Sequence, residues 1–317
     1  MSGQSRVAVV IPTWNSAALL PRLLDSIAAQ KGLVELFVVD NGSSDGTVEL
    51  LRERGISHVT RECNTGFAAA VNLGAARTTA PFVMPLNADT ALEPTSLANL
   101  CDALGSVPEL GGVAPRILQL EGERREPDTA RLYSAGMALT ADGRAFEAGA
   151  GEPQSDRWLR SRELFGVCGA ACLLRRELFT ELGGYDETFF SFYEDVDLNV
   201  RARIAGWRFE YVPEAVVWHV GNASWMAGAP RPGAWNARLV ARNRIVTQAR
   251  FMPASTLPRI LAVEAGALLR AARQGRLGAT LRGKLEGLAR LPRTLGERRR
   301  LAASGDLGRA RAWLGRG

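Results

Sequence analysis

Val38-Val39-Asp40-Asn41-Gly42-Ser43-Ser44-Asp45-Gly46-Thr47 decides the fold. The apolar run that begins at Leu33 ends on an acid, Asp40, and gives way at once to a block of turn-forming residues from Asn41 to Thr47. Short polar side chains that bond their own backbone make such a block a turn, and they also cap a helix, here one that reaches about Arg54. The same order of strand, polar loop and helix stands on both sides of it. Val7 to Ile11 is a continuous apolar run closed by Pro12, with Asn15 or Ser16 placed to cap a helix whose apolar face is Leu19, Leu20, Leu23, Leu24 and Ile27. A short strand near Val59 leads through Asn64-Thr65-Gly66 into an Ala-rich helix from Phe67 to Ala76, and Phe82 to Leu86 is a third strong strand running into Asn87-Ala88-Asp89. Strands that alternate with helices predict an α/β fold with a mostly parallel central sheet, whose ligands bind at the carboxyl ends of the strands.

That rule singles out Asp40, Asn41, Asn87 and Asp89, which all fall where strands end, with Gly42, Gly46 and Gly66 supplying backbone that a ligand can approach closely. Each also has a structural reading: Asp40 and Asn41 shape a turn, and Asp89 precedes the helix that Pro94 opens. No G-x-G-x-x-G or G-x-x-x-x-G-K-[ST] follows the first strand, so a nicotinamide or P-loop reading lacks its phosphate cradle.

Farther on, Gln119 to Ser161 has little periodicity and many glycines, and reads as loops of the kind that set specificity. Phe165 to Leu174 is a stretch of small residues that contains Gly169 and Ala170, whose glycines suit close packing of backbone, and a helix from Arg175 to Leu182 closes on Gly183-Gly184. Then comes Phe189-Phe190-Ser191-Phe192-Tyr193-Glu194-Asp195-Val196-Asp197-Leu198. Val196, Val200, Ile204 and Trp207 recur at helical spacing, so Glu194, Asp195 and Asp197 belong to the first turn of an amphipathic helix, where its dipole favours acids. By themselves they are equally a well-made helix start. His219 ends an apolar strand at Ala215 to Trp218; His58, at a strand edge without an acidic motif, reads as structural.

Composition sets limits. With 317 residues, 46% hydrophobic and 23% charged, the chain has room for one large domain or two smaller ones. The apolar run behind the polar amino terminus is too short for a signal or a membrane span, which points to a cytoplasmic protein. Cys63, Cys101, Cys168 and Cys172 have no metal-ligand spacing and read as small buried hydrophobes. The net charge of +6 conceals an asymmetry: from Arg250 to Gly317 there are 15 Lys and Arg against 4 Asp and Glu, whereas the rest has 24 against 29. Leu257, Ile260, Leu261, Val263, Leu268, Leu269, Leu277, Leu281, Leu285, Leu288 and Leu291 recur among those arginines. Such basic amphipathic helices suit either an anionic membrane surface or packing on the rest of the molecule. Nucleic acid is not expected, because after Phe251 only Trp313 is available to stack on a base.

Val9-Val10-Ile11-Pro12-Thr13-Trp14-Asn15, the stretch from Val38 to Thr47, and Asn64-Thr65-Gly66-Phe67-Ala68-Ala69-Ala70-Val71-Asn72 resemble, in order, the nucleotide-binding half of the family 2 glycosyltransferases, in their bacterial rhamnosyltransferase-like branch. The resemblance runs over about residues 6 to 250. It implies a GT-A (Rossmann-like) catalytic domain over 1–250, with a nucleotide half at about 6–117 and an acceptor half at about 160–250, followed by a basic helical tail over 251–317. It further implies that Pro12, Thr13, Trp14, Asn15, Asp40, Asn41, Asn64, Gly66, Phe67, Asn72 and Asn87 bind a nucleotide, and that Asp89 holds a divalent cation, Mg2+ or Mn2+, with His219 completing the site. Asn87 stands where the family's D-x-D motif has its first acid, and an amide brings no charge to the metal.

On the same resemblance Asp195 is the base that takes the proton of the acceptor hydroxyl, and Glu194 and Asp197 orient the acceptor or brace the loop. Phe165 to Leu174 resembles the family's small-residue strand beneath the acceptor, so Gly169, Ala170 and Phe190 meet the acceptor, with Phe189 as a further wall. The implied reaction is inverting transfer from dTDP-rhamnose or a UDP-sugar to a glycan or polyprenyl-linked acceptor in cell-surface polysaccharide synthesis, at the inner face of the membrane if the tail binds lipid. Arg242-Asn243-Arg244 also resembles the family, and its arginines read as phosphate contacts or as a solvated helix face. A catalytically silent sugar-binding protein of this fold is the alternative; it is expected to lack the base or the metal ligands, whereas this chain keeps Asp89, Asp195 and His219.

Overall fold

The computed structural model describes residues 6–30, 32, 34–122, 126–127, 129–221 and 232–316. Leu33, where the second strand was expected to begin, lies outside them. β1 (Val7–Thr13), β2 (Val34–Asp40), β3 (His58–Thr60) and β4 (Phe82–Pro85) lie parallel in the order β3-β2-β1-β4. α1 (Leu20–Ala28), α2 (Thr47–Glu53) and α3 (Phe67–Ala76) connect them. Successive residues of a strand face opposite sides of the sheet, and β1 buries both. Val7, Val9 and Ile11 pack with Leu20, Leu23, Leu24 and Ile27 of α1, while Val10 packs with Ala68, Val71 and Ala75 of α3. An uninterrupted apolar run is what a strand covered on both faces requires.

β5 (Thr90–Leu92) and α4 (Ser96–Ser106) lead to the long β6 (Leu110–Gln119). β11 (Leu173–Arg175) then enters antiparallel between β4 and β6, and β12 (Arg208–His219) runs parallel to β6 with β10 (Arg162–Leu164) on its outer edge. The sheet is thus mixed in its second half. β5 pairs antiparallel with the end of β12, setting His219 opposite Thr90.

Four expectations are corrected. Asn15 and Ser16 cap no helix: Asn15 takes a positive φ of 50° and its Oδ1 accepts from Ser44 N–H at 2.9 Å, while Ser16 N–H donates to Thr47 Oγ1 at 2.9 Å. Their hydrogen bonds tie the first loop to the Asn41–Thr47 turn. Second, Gln119 to Ser161 is not all loop, since β7 (Leu132–Ser134) pairs with β6, and β8 (Met137–Leu139) and β9 (Ala145–Glu147) form a hairpin. Three-residue strands are too short to leave a period in the sequence. Third, Phe165 to Leu174 is a strand only from Leu173, because Asn199 holds Val167 through both its N–H and its C=O and bends the chain away from the ladder. Last, Cys63 is exposed; Cys101, Cys168 and Cys172 are buried.

α5 (Arg176–Glu181) and α6 (Glu194–Ala205) follow, and α6 stops on Gly206, at φ 103°, one residue before Trp207. Val196, Val200 and Ile204 pack against Leu301, Leu307 and Trp313 of the tail. The tail continues the helix Pro232–Phe251 with Leu257–Arg273, Leu277–Ala289, Leu291–Ser304 and Leu307–Arg311. Gly283 and Gly287 let Leu277–Ala289 lie on Pro232–Phe251, for a Cβ at Gly283 would come within 2.1 Å of the Arg238 carbonyl and one at Gly287 within 2.8 Å of that of Arg242. Around this seam Arg238 pairs with Glu286 at 2.7 Å and Arg244 with Glu264 at 2.6 Å. The opposite face leaves Leu261, Leu269, Leu281, Leu285 and Leu288 exposed. No described helix is long and apolar enough to cross a membrane.

Candidate active site

At the carboxyl ends of the strands a cavity of about 260 Å3 gathers Asn87, Asp89, Gly169, Ala170, Glu194, Asp195 and His219. Each arrives for a local reason. Asn87 and Asp89 follow β4, where Leu86 N–H bonds Val10 C=O and Asn87 N–H bonds Ala170 C=O, both at 3.0 Å. The β5–β12 ladder brings His219 Nε2 to 3.1 Å from Asp89 Oδ1, with both side chains buried. Asn87 Nδ2 lies 3.4 Å from the same ring nitrogen. Tyr133 packs edge-on against the imidazole at 4.2 Å, fixing its plane, and Nδ1 is buried without a hydrogen-bond partner among the described residues. A carboxylate oxygen and an imidazole nitrogen 3.1 Å apart form a donor pair that suits a divalent cation such as Mn2+, whereas Asn87 turns its amide nitrogen, a hydrogen-bond donor and no ligand, toward them.

Asp195 is held across the cavity wall. Its Oδ2 accepts from Gly169 N–H at 2.9 Å and its Oδ1 from Val196 N–H at 2.8 Å. Burial pushes this carboxyl above its ordinary value, and those N–H groups pull in the other direction. Glu194, 5% exposed, is raised much further, by burial first and by the neighbouring Asp195 second, and its Oε2 has no partner among the described residues. The two acids of one helical turn are therefore driven apart in acidity, with Asp195 the more readily ionised. Asp197 belongs elsewhere: it is fully buried, accepts from Arg201 at 2.7 Å and pairs with Arg250.

A smaller cavity of about 60 Å3 shares Phe67 and Asn87 with the first and adds Pro12, Thr13, Trp14, Asn41 and Asn64. These are the residues expected to meet a nucleotide. Asp40, Asn15, Gly66 and Asn72 do not line it. Asp40 is fully buried and closes its own turn, accepting from Gly42 N–H at 3.2 Å and Ser43 N–H at 3.1 Å. Asn72 clasps Tyr185 by both backbone groups, at 2.8 and 2.9 Å. Gly66, at φ 91°, makes room for the acidic loop, since a Cβ there would meet the Phe190 carbonyl at 2.4 Å.

Phe190 stands against Trp235 rather than in the larger cavity, and Phe189 is buried beneath Arg250; Phe192 supplies the aromatic wall instead. Phe190, Phe192 and Tyr193 all have positive φ, between 66° and 71°. Such backbone is costly for large side chains and persists only where surrounding contacts hold it. Those contacts come from Arg242 and Asn243. The fully buried Asn243 amide donates to the carbonyls of Phe189, Ser191 and Phe192 at 3.0, 2.9 and 2.7 Å, and Arg242 donates to Phe189 at 2.6 Å. Sequence reasoning offered phosphate or solvent for this motif and missed the clamp, because its partners are carbonyls about fifty residues upstream. It also missed Glu147 and Tyr133, which no motif marks.

Residues 8–183 match the family model described as glycosyl transferase family 2. The chain belongs to that family. It is 32% identical over 236 residues to an N-acetylglucosaminyl-diphospho-decaprenol L-rhamnosyltransferase of Mycobacterium tuberculosis, a match spanning 67% of this chain and 75% of that one. To a pre-mycofactocin glycosyltransferase of the same organism it is 33% identical over 277 residues, 83% of this chain and 51% of the relative, so the chain spans about half of that protein. Two solved structures share the fold. A mannosyltransferase from Pyrobaculum calidifontis, in complex with GDP-Man and Mn2+, aligns over 96% of this chain and 86% of its own with TM-score 0.53 and 21% identity. GalNAc-T7 with UDP, GalNAc and Mn2+ aligns over 76% of this chain and 48% of its own, with TM-score 0.60 and 18% identity. The family 2 glycosyltransferase described here is thus an enzyme of the GT-A fold, with a C-terminal set of helices.

Proposed function

We propose that this glycosyltransferase moves a sugar, with inversion, from a nucleoside diphosphate sugar, dTDP-rhamnose or a UDP-sugar, to a hydroxyl of a polyprenyl-diphosphate-linked glycan in cell-surface polysaccharide synthesis. The observation that carries this reading is the placing of Asp195 and the Asp89–His219 pair on one cavity that adjoins the Trp14–Asn41–Asn64 cavity. The lipid-linked acceptor and the rhamnosyl donor follow the name of the mycobacterial relative.

The nucleotide lies along Pro12, Thr13, Trp14, Asn41, Asn64 and Phe67, with Asp40, Asn15, Gly66 and Asn72 shaping the loops that carry those residues. Asp89 and His219 would hold a divalent cation, Mg2+ or Mn2+, which would supply Lewis-acid neutralisation of the leaving diphosphate. Asn87 turns its amide to the ribose or a phosphate oxygen. Asp195, fixed by two backbone donors, takes the proton of the acceptor hydroxyl as that oxygen attacks the anomeric carbon from the face opposite the nucleotide. Attack from the opposite face inverts the anomeric centre. Glu194, kept neutral by burial, is a hydrogen-bond donor toward the acceptor beside Gly169 and Ala170, and Asp197 braces the loop through Arg250.

Residues 1–250 form the catalytic unit and 251–317 its basic tail, which serves two ends. Its inner face braces the acidic loop through Arg290, which donates to the Thr188 carbonyl at 2.9 Å. Its exposed leucines, among arginines, contact anionic lipid where the polyprenyl acceptor resides.

The test is nucleotide release from dTDP-rhamnose and UDP-sugars with Mn2+ or Mg2+, with and without N-acetylglucosaminyl-diphospho-prenol, together with the anomeric configuration of the product. Transfer that survives unchanged in Asp195→Asn overturns the base, and a retained configuration overturns the displacement. Sedimentation with anionic vesicles, comparing wild type with a Leu281→Ser, Leu285→Ser, Leu288→Ser variant, tests the lipid face; equal binding removes it.

A further inference from the structure

One acid on the cavity wall has no place in the reaction as drawn. Glu147 ends β9, in the β8–β9 hairpin, and lines the same cavity as Asp195. One oxygen of Glu147, the sulfur of Cys168 and one oxygen of Asp195 all lie within 4.8 Å of one another. Ser134 Oγ donates to Glu147 Oε2 at 2.5 Å and so orients the carboxyl. Among the described residues Glu147 has no ion-pair partner, whereas the acids outside this cavity commonly find an arginine. Beside it on the same hairpin Phe146, 42% exposed, lines the cavity too. Glu194, also on this wall, has its buried Oε2 unpartnered among the described residues. Carboxyl oxygens with lone pairs to spare thus gather next to an aromatic ring; sugars offer both hydroxyls and an apolar C–H face.

We propose that Glu147 is a specificity-determining residue that binds the hydroxyl adjacent to the one that reacts, so that the site takes an acceptor sugar presenting two neighbouring hydroxyls. This rests on the reading of Asp195 as the base. Two carboxyl oxygens no more than 4.8 Å apart are close enough to be reached together by hydroxyl oxygens on neighbouring carbons, each at about 2.7 Å from its partner. The groups that face Glu147 are Ser134 and Tyr133 from β7, Cys168, and Asp195 from α6. No basic side chain is among them, so the carboxyl is pushed up to about 7, by burial first and by Asp195 second. At neutral pH it is about half protonated, and in that form it can donate to a hydroxyl oxygen. The hairpin is therefore the element that reads the acceptor.

The experiment measures transfer to N-acetylglucosaminyl-diphospho-prenol and to two analogues that lack, one at a time, the reacting hydroxyl and the hydroxyl beside it. With the parent acceptor, Glu147→Ala is expected to raise the acceptor KM by about tenfold, the scale of one lost hydrogen bond, with the donor KM unchanged as the sign of an intact fold. With the analogue lacking the neighbouring hydroxyl, wild type and Glu147→Ala are expected to have the same KM, and Glu147→Gln, which keeps a donor at the same place, is expected to recover part of the loss with the parent. An equal penalty with parent and analogue means a merely structural residue and overturns the proposal, as does a variant indistinguishable from wild type on the parent. Asp195→Asn in the same assay separates the two readings: it lowers kcat for both acceptors if the base is right, whatever Glu147 does.

Discussion

Gly169 N–H donates to Asp195 Oδ2 at 2.9 Å, and a methyl group on Gly169 would stand 3.1 Å from that same oxygen. Residue 169 is therefore held to glycine by the carboxylate it orients. Gly169→Ala is expected to push the carboxyl aside by a few tenths of an ångström and to lower kcat about tenfold, since misplacement by about 1 Å can cost a hundredfold. The donor KM and the thermal midpoint are expected to stay near wild type. An unchanged kcat would show that the placing of Asp195 does not depend on this contact.

Asn243 offers a stability test. Removing its amide in Asn243→Ala leaves the carbonyls of Phe189, Ser191 and Phe192 short of a buried donor, at a cost of about 1–3 kcal/mol. Because those carbonyls belong to a loop with three left-handed residues, the loop relaxes and Asp195 moves with it. Urea unfolding and kcat are expected to fall together; a loss of stability with full kcat would separate the clamp from catalysis.

Around Arg250 lies a network of charges largely shielded from water. Arg250 pairs with Asp197, with Asp186 at 2.9 Å, and with Glu297 of the tail. Burial works against its charge, but Asp197, Asp186 and Glu297 outweigh burial and raise its pKa. Arg250→Met takes one of two arginines from the buried Asp197 and the ion-pair partner from the partly buried Asp186, and is expected to destabilise by about 3–5 kcal/mol, measured in urea. Glu297→Gln, which removes a single partner from the partly exposed end, is expected to cost less. Equal losses would place the burden on the tail contact alone.

For Glu147 the pH dependence has a definite sign. Its folded-state value of about 7 exceeds the ordinary 4.5, so the folded protein holds this proton more tightly than the unfolded chain. The stability it contributes is present below the ordinary value and is lost as pH rises through about 7. The urea midpoint of wild type relative to Glu147→Gln is therefore expected to fall between about pH 5 and about pH 8. A flat difference would mean that the carboxyl is not shifted.

Metal removal has its own signature. EDTA is expected to abolish transfer, with recovery on added Mn2+. Asp89→Asn and His219→Ala are expected to raise the Mn2+ concentration needed for half-activity by about 10- to 100-fold, the scale on which mutations around a metal site weaken it. Activity that ignores EDTA would remove the cation from the reading.

What the sequence by itself determined were the elements whose pattern is local. β1 and β2 announce themselves as unbroken apolar runs because both faces of the sheet are covered, and α3 and α6 begin where their turn residues and acids stand. The strand-end rule likewise placed Asn41, Asn87 and Asp89 on the rim. Only the tertiary structure decided which of these side chains face a cavity and which are consumed in holding it. Asp40 and Asp195 are each an acid beside turn-forming or aromatic residues, yet Asp40 closes its own turn while Asp195 stands on the cavity wall. The difference lies in partners brought from elsewhere: Ser43 takes up Asp40 from three residues away, whereas Asp195 is aimed by Gly169, and its loop is clamped by Asn243. Pairing across such distances leaves no period in the chain, so Glu147, Asn243 and Arg250 became legible only once the sheet and the tail had folded over the same loop.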